Sequence, residues 1–396
     1  MKHRIVVLGA GYAGATTAGR LARRLHPDDA EITVINQDAD FVERIRMHQL
    51  ATGQPLKHRP LDGVFAGTSV TVRAARVTAV DVDHKIISVW DDHGEDKINY
   101  DTLVYALGST AADNGVPGVV EHAHYVAGRQ SASQLRRRLD DLDPGSAVLV
   151  VGGGLTAIEV GTEIADNRPD LRVTIAARHG VGEWLSDRGQ RHLRTVFERL
   201  KITIREQAGI VRIDETGAVT AEDERIPADL TIWAAGFATH PIAAATNLAV
   251  ADNGQIVVDK SMRSISHPDV YAVGDAGLAE GAHGKPLRMS CASGIPMGWV
   301  AADAIVARLT GRTARPFTIP YVLQCISLGR HDGLVQFVTP DDQARSSVIT
   351  GTPAARIKEF ICAGAGWSIA HPTVLLPTRR RHITVPSERT AVTDAA

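Results

Sequence analysis

Apolar runs divide the chain before any single residue draws attention. Residues 4 to 8 are a short, mostly apolar run that stops at Gly9, the pattern of a strand buried on both faces. A helical stretch from Ala15 to Leu25 follows, and then a second short strand from Glu31 to Ile35. The same succession returns as a strand from Ala147 to Val151, a helix through Ala165 and a strand from Leu171 to Ala176. Between the two units, Val70 to Val80 and Ile86 to Trp90 alternate as in a β-meander, and Tyr100 to Leu107 reads as another strand. Thr203–Arg205, Ala218–Thr220, Leu230–Ala234 and Val270–Val273 then repeat the outline, and Leu334–Val338 points to a small C-terminal sheet. From about Ile383 onward the chain is polar and aperiodic, which predicts a disordered tail.

What joins strand to helix in each unit carries the chemistry. The first connection is Gly9-Ala10-Gly11-Tyr12-Ala13-Gly14 and the second is Gly152-Gly153-Gly154-Leu155-Thr156-Ala157, with alanine at the last small position. A GxGxxG string alone is weak, but between a strand and a helix it is a dinucleotide-binding fingerprint. Its glycines allow a tight turn and let backbone N–H groups approach a pyrophosphate. Two such loops in one chain predict two nucleotide sites.

Composition narrows the partners. With 43 Lys plus Arg against 45 Asp plus Glu, a net charge of −2 offers no global field for nucleic acid. Cys291, Cys325 and Cys362 form no CxxC pair, so neither a disulfide framework nor a metal site is indicated and a reducing cytoplasm fits. No apolar run approaches the ~20 residues of a membrane span, and the N-terminal run is too short for a signal peptide.

Taken in order, four motifs resemble the FAD-dependent pyridine nucleotide oxidoreductases: Gly9 to Gly14, Leu107-Gly108-Ser109, Gly152 to Gly154 with Glu159, and Val270-Tyr271-Ala272-Val273-Gly274-Asp275. The resemblance implies an α/β fold of two Rossmann-like dinucleotide-binding domains, the second inserted in the first, plus a small C-terminal α+β region. Its boundaries would be 1–112 and 237–317 for the FAD domain, 113–236 for the NAD(P) domain, 318–382 for a C-terminal interface domain and 383–396 for the tail. It further implies FAD on Gly9, Gly11, Tyr12, Ala13 and Gly14, with Asn36, Arg46, Val77, Ala106, Gly108, Gly274 and Asp275 contributing. NADPH or NADH would sit on Gly152, Gly154, Leu155, Thr156 and Gly236, with Glu159 orienting the nicotinamide.

The branch within that family follows from how electrons leave. Disulfide reductases carry CxxxxC where this chain has Asp40 to Leu50 without a cysteine. Leu50-Ala51-Thr52-Gly53 and Leu328-Gly329-Arg330-His331-Asp332-Gly333 resemble type II NADH dehydrogenases, which implies hydride transfer from NAD(P)H to FAD and onward transfer to a quinone or similar organic acceptor. Arg288 to Gly298 lacks the glutamine this family carries in its quinone pocket. Ferredoxin-reductase-type transfer, a natural-product tailoring flavoenzyme and a non-catalytic nucleotide sensor stay open beside it. At the end of the second unit's second strand, Ala177-Arg178-His179 replaces the acid that binds NADH ribose with a cation suited to a 2′-phosphate. His48 is a candidate proton donor to the acceptor, placed with Arg44 on one helix at i,i+4. Localisation is expected in the cytoplasm, with weak association at the inner face of the membrane and a homodimer both left open.

Overall fold

A computed structural model describes residues 1–314, 317–373 and 379–384. Its first layer is a five-stranded parallel sheet in the order Val270–Ala272, Thr102–Tyr105, His3–Leu8, Ala30–Asn36, Val70–Ala74. The central strand pairs on both sides, Ile5 lying opposite Ile32 and Thr102, so Ile5 to Leu8 are buried on both faces. That double burial is why the run is continuous in the sequence rather than alternating.

The second layer is also parallel, in the order Thr203–Arg205, Arg172–Ala176, Ala147–Val151, Leu230–Trp233, Ala123–His124. In each sheet the first strand of its unit is central, flanked by the second and then the third. Strand Val270–Ala272 follows the whole second unit in sequence yet pairs with Thr102–Tyr105 of the first sheet. The second unit is therefore an insertion in the first, as expected. The two-stranded pair Ser109–Ala111 with Phe237–Thr239 lies where the chain leaves the first unit and where it returns.

Helix α1 spans Tyr12–Arg24 and helix α2 spans Leu155–Asn167. Both start earlier relative to their glycine loops than a purely apolar reading gives, because the last loop residues already lie in the first turn. Gly9 has φ +91°, and a Cβ there would meet the Ala106 carbonyl oxygen at 2.4 Å. A Cβ on Gly14 would sit 2.0 Å from the Gly9 oxygen. Only glycine lets this turn close and the helix lie against the strand.

Helix α3, Cys291–Leu309, packs on α1, held by Arg20, whose Nε and Nη2 donate to Asp303 at 2.7 Å each. A three-stranded antiparallel sheet of Leu323–Ser327, Gly333–Val338 and Ala344–Thr350 leads into helix α4, Thr352–Ser368. Asp332, buried between the first two of these strands, accepts from His192 at 2.8 Å and Arg199 at 2.9 Å, fastening this sheet to the second unit.

Two sequence expectations need correction. Residues 70 to 80 are not one meander strand: Val70–Ala74 joins the parallel sheet beside Ala30–Asn36, and after Ala75 the chain enters a separate antiparallel sheet as Arg76–Asp81. Alternation is equally compatible with both sheets, so it does not mark the switch. The expected tail begins too early, since Ile383 N donates to Asp29 Oδ2 at 3.0 Å and Thr384 N to the Leu309 carbonyl at 3.0 Å. Residues 385–396 lie outside the described residues. Among the described residues no helix is long and apolar enough to cross a membrane.

Candidate functional site

At the C-terminal edge of the first sheet lies a cleft of about 580 Å³, where Gly9, Gly11, Asn36, Arg44, Ala106 and Gly108 are among the lining residues. This is where open parallel sheets bind ligands. The first bond inside α1 runs from Ala15 N to the Gly11 carbonyl, so the N–H groups of Tyr12, Ala13 and Gly14 have no partner within the helix. The N-cap is Gly11, which supplies no side-chain acceptor, and the space beside its Cα is open. These donors suit an external anion such as a diphosphate. The cradle therefore fits the pyrophosphate of FAD.

Across the cleft, Ser109 Oγ donates to Asp275 Oδ2 at 2.6 Å, and Arg44 Nη1 donates to the Ser109 carbonyl at 2.8 Å while lying 3.7 Å from Asp275. Gly274 lies against the first loop, where a Cβ on it would meet Ala13 Cβ at 3.0 Å. Asn36 lines the cleft, but its Oδ1 accepts from Ala10 N at 2.8 Å and its amide donates to the Asp38 carbonyl at 2.7 Å, so it braces the loop. Two expected contributors have other partners. Val77 pairs with Val89 in the antiparallel sheet, and Arg46 is bound to Glu43 at 3.1 Å and to Glu359 at 2.6 and 2.8 Å. Neither is among the residues lining the cleft.

The second loop repeats the first. Gly154 is the N-cap of α2, with open space beside its Cα, and the first intrahelical bond runs from Ile158 N to its carbonyl. Leu155 and Thr156 occupy the first turn. Arg178 and His179 are exposed just past strand Arg172–Ala176, and Gly236 lies beside Asn114 at the crossover.

One turn into α2, Glu159 is 4% exposed and closes a buried ionic cluster. Lys358 Nζ lies 2.9 Å from Glu159 Oε1 and donates to the Cys325 carbonyl at 3.1 Å; Ser327 N donates to Glu159 at 3.0 Å. His48 Nδ1 stands 3.7 Å from Glu159, and its buried Nε2 has no hydrogen-bond partner among the described residues. Burial would raise the Glu159 pKa, but the charge of Lys358, the largest opposing cause, together with the Ser327 N–H, holds it below its ordinary value. Burial depresses His48 against the pull of Glu159, so the imidazole is neutral near pH 7 and its contact is not an ion pair. Burial also opposes the charge on Lys358, and Glu159 restores it, leaving that pKa raised. The resting state is Lys358⁺ with Glu159⁻ beside neutral His48.

Arg44 and His48 do not share one regular helix, contrary to expectation: Arg44–Arg46 is a 3₁₀ turn and the α-helix runs only over Met47–Ala51. Sequence reading missed Lys358, and gave Ser109 no role beyond its place in the Leu107-Gly108-Ser109 motif. Lys358 had a signal, because Ala354, Lys358, Cys362 and Gly366, the buried residues of α4, recur every four positions. A lysine on a buried stripe needs a counter-ion. The three cysteines are free, and burial raises each thiol, Cys362 up to about 12.

Residues 3–304 match the model of a family described as pyridine nucleotide-disulphide oxidoreductase. The chain belongs to that family. Among its relatives, a type II NADH:quinone oxidoreductase of Staphylococcus haemolyticus is 28% identical, aligned over 93% of this chain and 96% of its own length. Plasmodium falciparum NDH2, solved in complex with NADH, shares the fold at a TM-score of 0.78 and 15% identity, covering 96% of this chain and 100% of its own. Sulfide:quinone oxidoreductase of Aquifex aeolicus does so at 0.75 and 20%, covering 93% and 92%. Within the family, this chain has no cysteine in the Asp40 to Leu50 segment.

Proposed function

We propose that this family member is an FAD-dependent NAD(P)H dehydrogenase that reduces a quinone-type acceptor without a redox disulfide. The observation that carries this reading is the buried Glu159–Lys358–His48 cluster, which offers proton-handling groups where disulfide reductases would need thiols. When bound, FAD and the nicotinamide supply the hydride chemistry.

The chain's own residues bind, orient and protonate. The N-terminus of α1 holds the FAD pyrophosphate, with Ala106, Gly108, Gly274 and Asp275 around the cleft. The N-terminus of α2, through Gly152, Gly154, Leu155 and Thr156, holds NAD(P)H. Arg178 would meet the 2′-phosphate of NADPH, favouring that cofactor, with His179 and Gly236 beside it. Glu159 orients the nicotinamide, and His48 hands a proton to the acceptor from Nε2. The chain acts in the cytoplasm, and its domains follow the boundaries 1–112 with 237–317, 113–236 and 318–382.

Steady-state turnover of purified flavin-loaded protein with a soluble quinone, set against ferredoxin plus cytochrome, tests this. Quinone turnover supports the reading. Turnover confined to ferredoxin overturns it.

A further inference from the structure

Residues 379–384 cross the first unit at the edge of its sheet opposite the glycine-loop cleft. Strand His3–Leu8 enters the sheet there, His3 N donating to the Asp29 carbonyl at 2.7 Å, and leaves it at Gly9, where the cleft begins. Arg381 makes a parallel bridge to Leu25, its N–H donating to the Arg24 carbonyl at 2.9 Å and its carbonyl accepting from His26 N at 2.8 Å. Ile383 N and Thr384 N reach Asp29 Oδ2 and the Leu309 carbonyl, both at 3.0 Å. Arg379, Arg380, His382 and Thr384 are exposed, while the half-buried Ile383 packs against the core. Fixing the segment costs chain entropy that so little burial barely offsets.

Three side chains able to ligate a metal meet at this crossing. His382 Nδ1 lies 2.8 Å from Asp29 Oδ2, and the His26 and His382 rings stack with centroids 4.0 Å apart. One ligand atom from each of His26, Asp29 and His382 lies within 4.8 Å of the other two. A tetrahedral ion with bonds of about 2.0–2.2 Å holds its ligand atoms roughly 3.3–3.5 Å apart. The exposed His382 side chain closes that difference by rotating. His26 is half-buried on the turn that ends α1, and Asp29 is held by Ile383 N, so two ligands are in place before the third moves. Asp28 is exposed, with Oδ2 3.4 Å from His26 Nδ1, and is within reach of a fourth position. Among the described residues no lysine or arginine pairs with Asp29, so an arriving cation displaces none. Two imidazoles with a carboxylate suit a zinc-class divalent ion, whereas magnesium and calcium take oxygen ligands.

We propose that His26, Asp29 and His382 form a zinc-class metal site that staples the C-terminal segment to the end of α1. The ion takes both neutral rings and the carboxylate, with Asp28 or water in the fourth position. The hydrogen bond between His382 and Asp29 gives way to shared coordination, so a single contact between segment and body becomes bonds from one ion to both. The full ligand set exists only while the segment is docked, and binding therefore favours the docked chain by mass action. Asp29 and His382 are 353 positions apart, which is why no motif spacing in the sequence discloses the site. It lies away from the cleft, so turnover at the flavin does not require it.

Flavin-loaded full-length protein, stripped of metal and titrated with Zn²⁺ in a calorimeter, tests the site. The wild type binds an ion that His26→Gln and His382→Gln each weaken by about ten-fold or more, at least the cost of losing a group that merely supports a ligand. His84→Gln, at an exposed histidine–aspartate pair elsewhere, leaves binding unchanged. Zinc slows hydrogen exchange at the amides of Arg381, Ile383 and Thr384 in the wild type and in neither ligand variant. At a hundred-fold excess over Kd it raises the wild-type Tm by about 3 °C. Flavin content and metal-free Tm of the variants stay near wild type, because neither ring is fully buried. Asp29→Asn, whose amide oxygen still accepts from Ile383 N, gives a second variant that weakens zinc while keeping the segment's backbone bond. Absence of zinc binding, equal binding in the wild type and the ligand variants, an equal response to Mg²⁺, or binding without slower exchange in the segment would overturn the site.

Discussion

The two glycine loops are copies in backbone plan and opposites in surroundings. Around the first, Asn36 braces the loop from below, the Arg44, Ser109 and Asp275 set faces it across the cleft, and α3 packs on its helix. Around the second, Arg178 and His179 are exposed at the strand end where the first unit has Asn36 bonded to its loop. The same turn can thus hold a resident group or receive a visiting one, and the difference lies in what the rest of the chain builds around it. An enclosed site suits a flavin that stays through many turnovers, and an open one suits a nicotinamide that must leave after each.

The sharpest way to break that contrast is to put a side chain in each turn. Gly9→Ala forces a Cβ onto the Ala106 carbonyl at positive φ, which costs about 3 kcal/mol or more. Purified protein should then lack flavin absorbance and melt at lower temperature. Gly152→Ala, the matching position in the second loop, meets the Ala234 carbonyl oxygen at 2.5 Å at φ +143°, so Tm should fall as well while flavin is retained and KM for NAD(P)H rises.

Lys358→Met comes next. It leaves Glu159 buried without its cation, a loss of about 3–5 kcal/mol for a broken buried pair. The pH dependence should change with it. In the wild type Glu159 has a depressed pKa, so its contribution is present above the ordinary glutamate value of 4.5 and is lost as pH falls through the lower folded value. In the variant burial is opposed chiefly by the Ser327 N–H, so the pKa moves upward and protonation becomes more favourable to the fold. The wild-type Tm should therefore fall as the medium is acidified below about 4.5, and the gap between variant and wild type should narrow; a constant gap argues against the pairing.

At the open site, Arg178→Glu should shift the ratio of kcat/KM for NADPH over NADH toward NADH by about ten-fold, or about 1.4 kcal/mol. An unchanged ratio would place Arg178 outside the 2′-phosphate site. Smallest is Asn36→Ala, which frees the Ala10 N–H and should cost about 1 kcal/mol, read as a modest drop in Tm with flavin retained.

How much of this was readable beforehand depended on sequence distance. Strand, glycine loop and helix are contiguous, so residues 4 to 25 and 147 to 176 disclose both nucleotide sites. Glu159 is legible for the same reason. The groups that give it meaning are not: Lys358 comes from α4 and His48 from the other side of the chain, and only the packed fold makes them neighbours. Arg46 and Val77 were less legible. An arginine near the expected flavin segment looked available, yet Glu43 and Glu359 claim it, and Val77 belongs to a sheet that the chain enters only after an unmarked turn at Ala75.

The central claim is that electrons pass from NAD(P)H through FAD to a quinone with no thiol in the path. Anaerobic stopped-flow absorbance tests it most directly, mixing flavin-loaded protein with NADPH or NADH and then with a soluble quinone, in the wild type and in the Cys291→Ser, Cys325→Ser, Cys362→Ala triple variant. The account predicts rapid bleaching by the nicotinamide and recovery of the visible band by the quinone, at matching rates in both proteins. Absence of bleaching, or recovery that is lost when the three cysteines are removed from a protein that still holds its flavin, would contradict it.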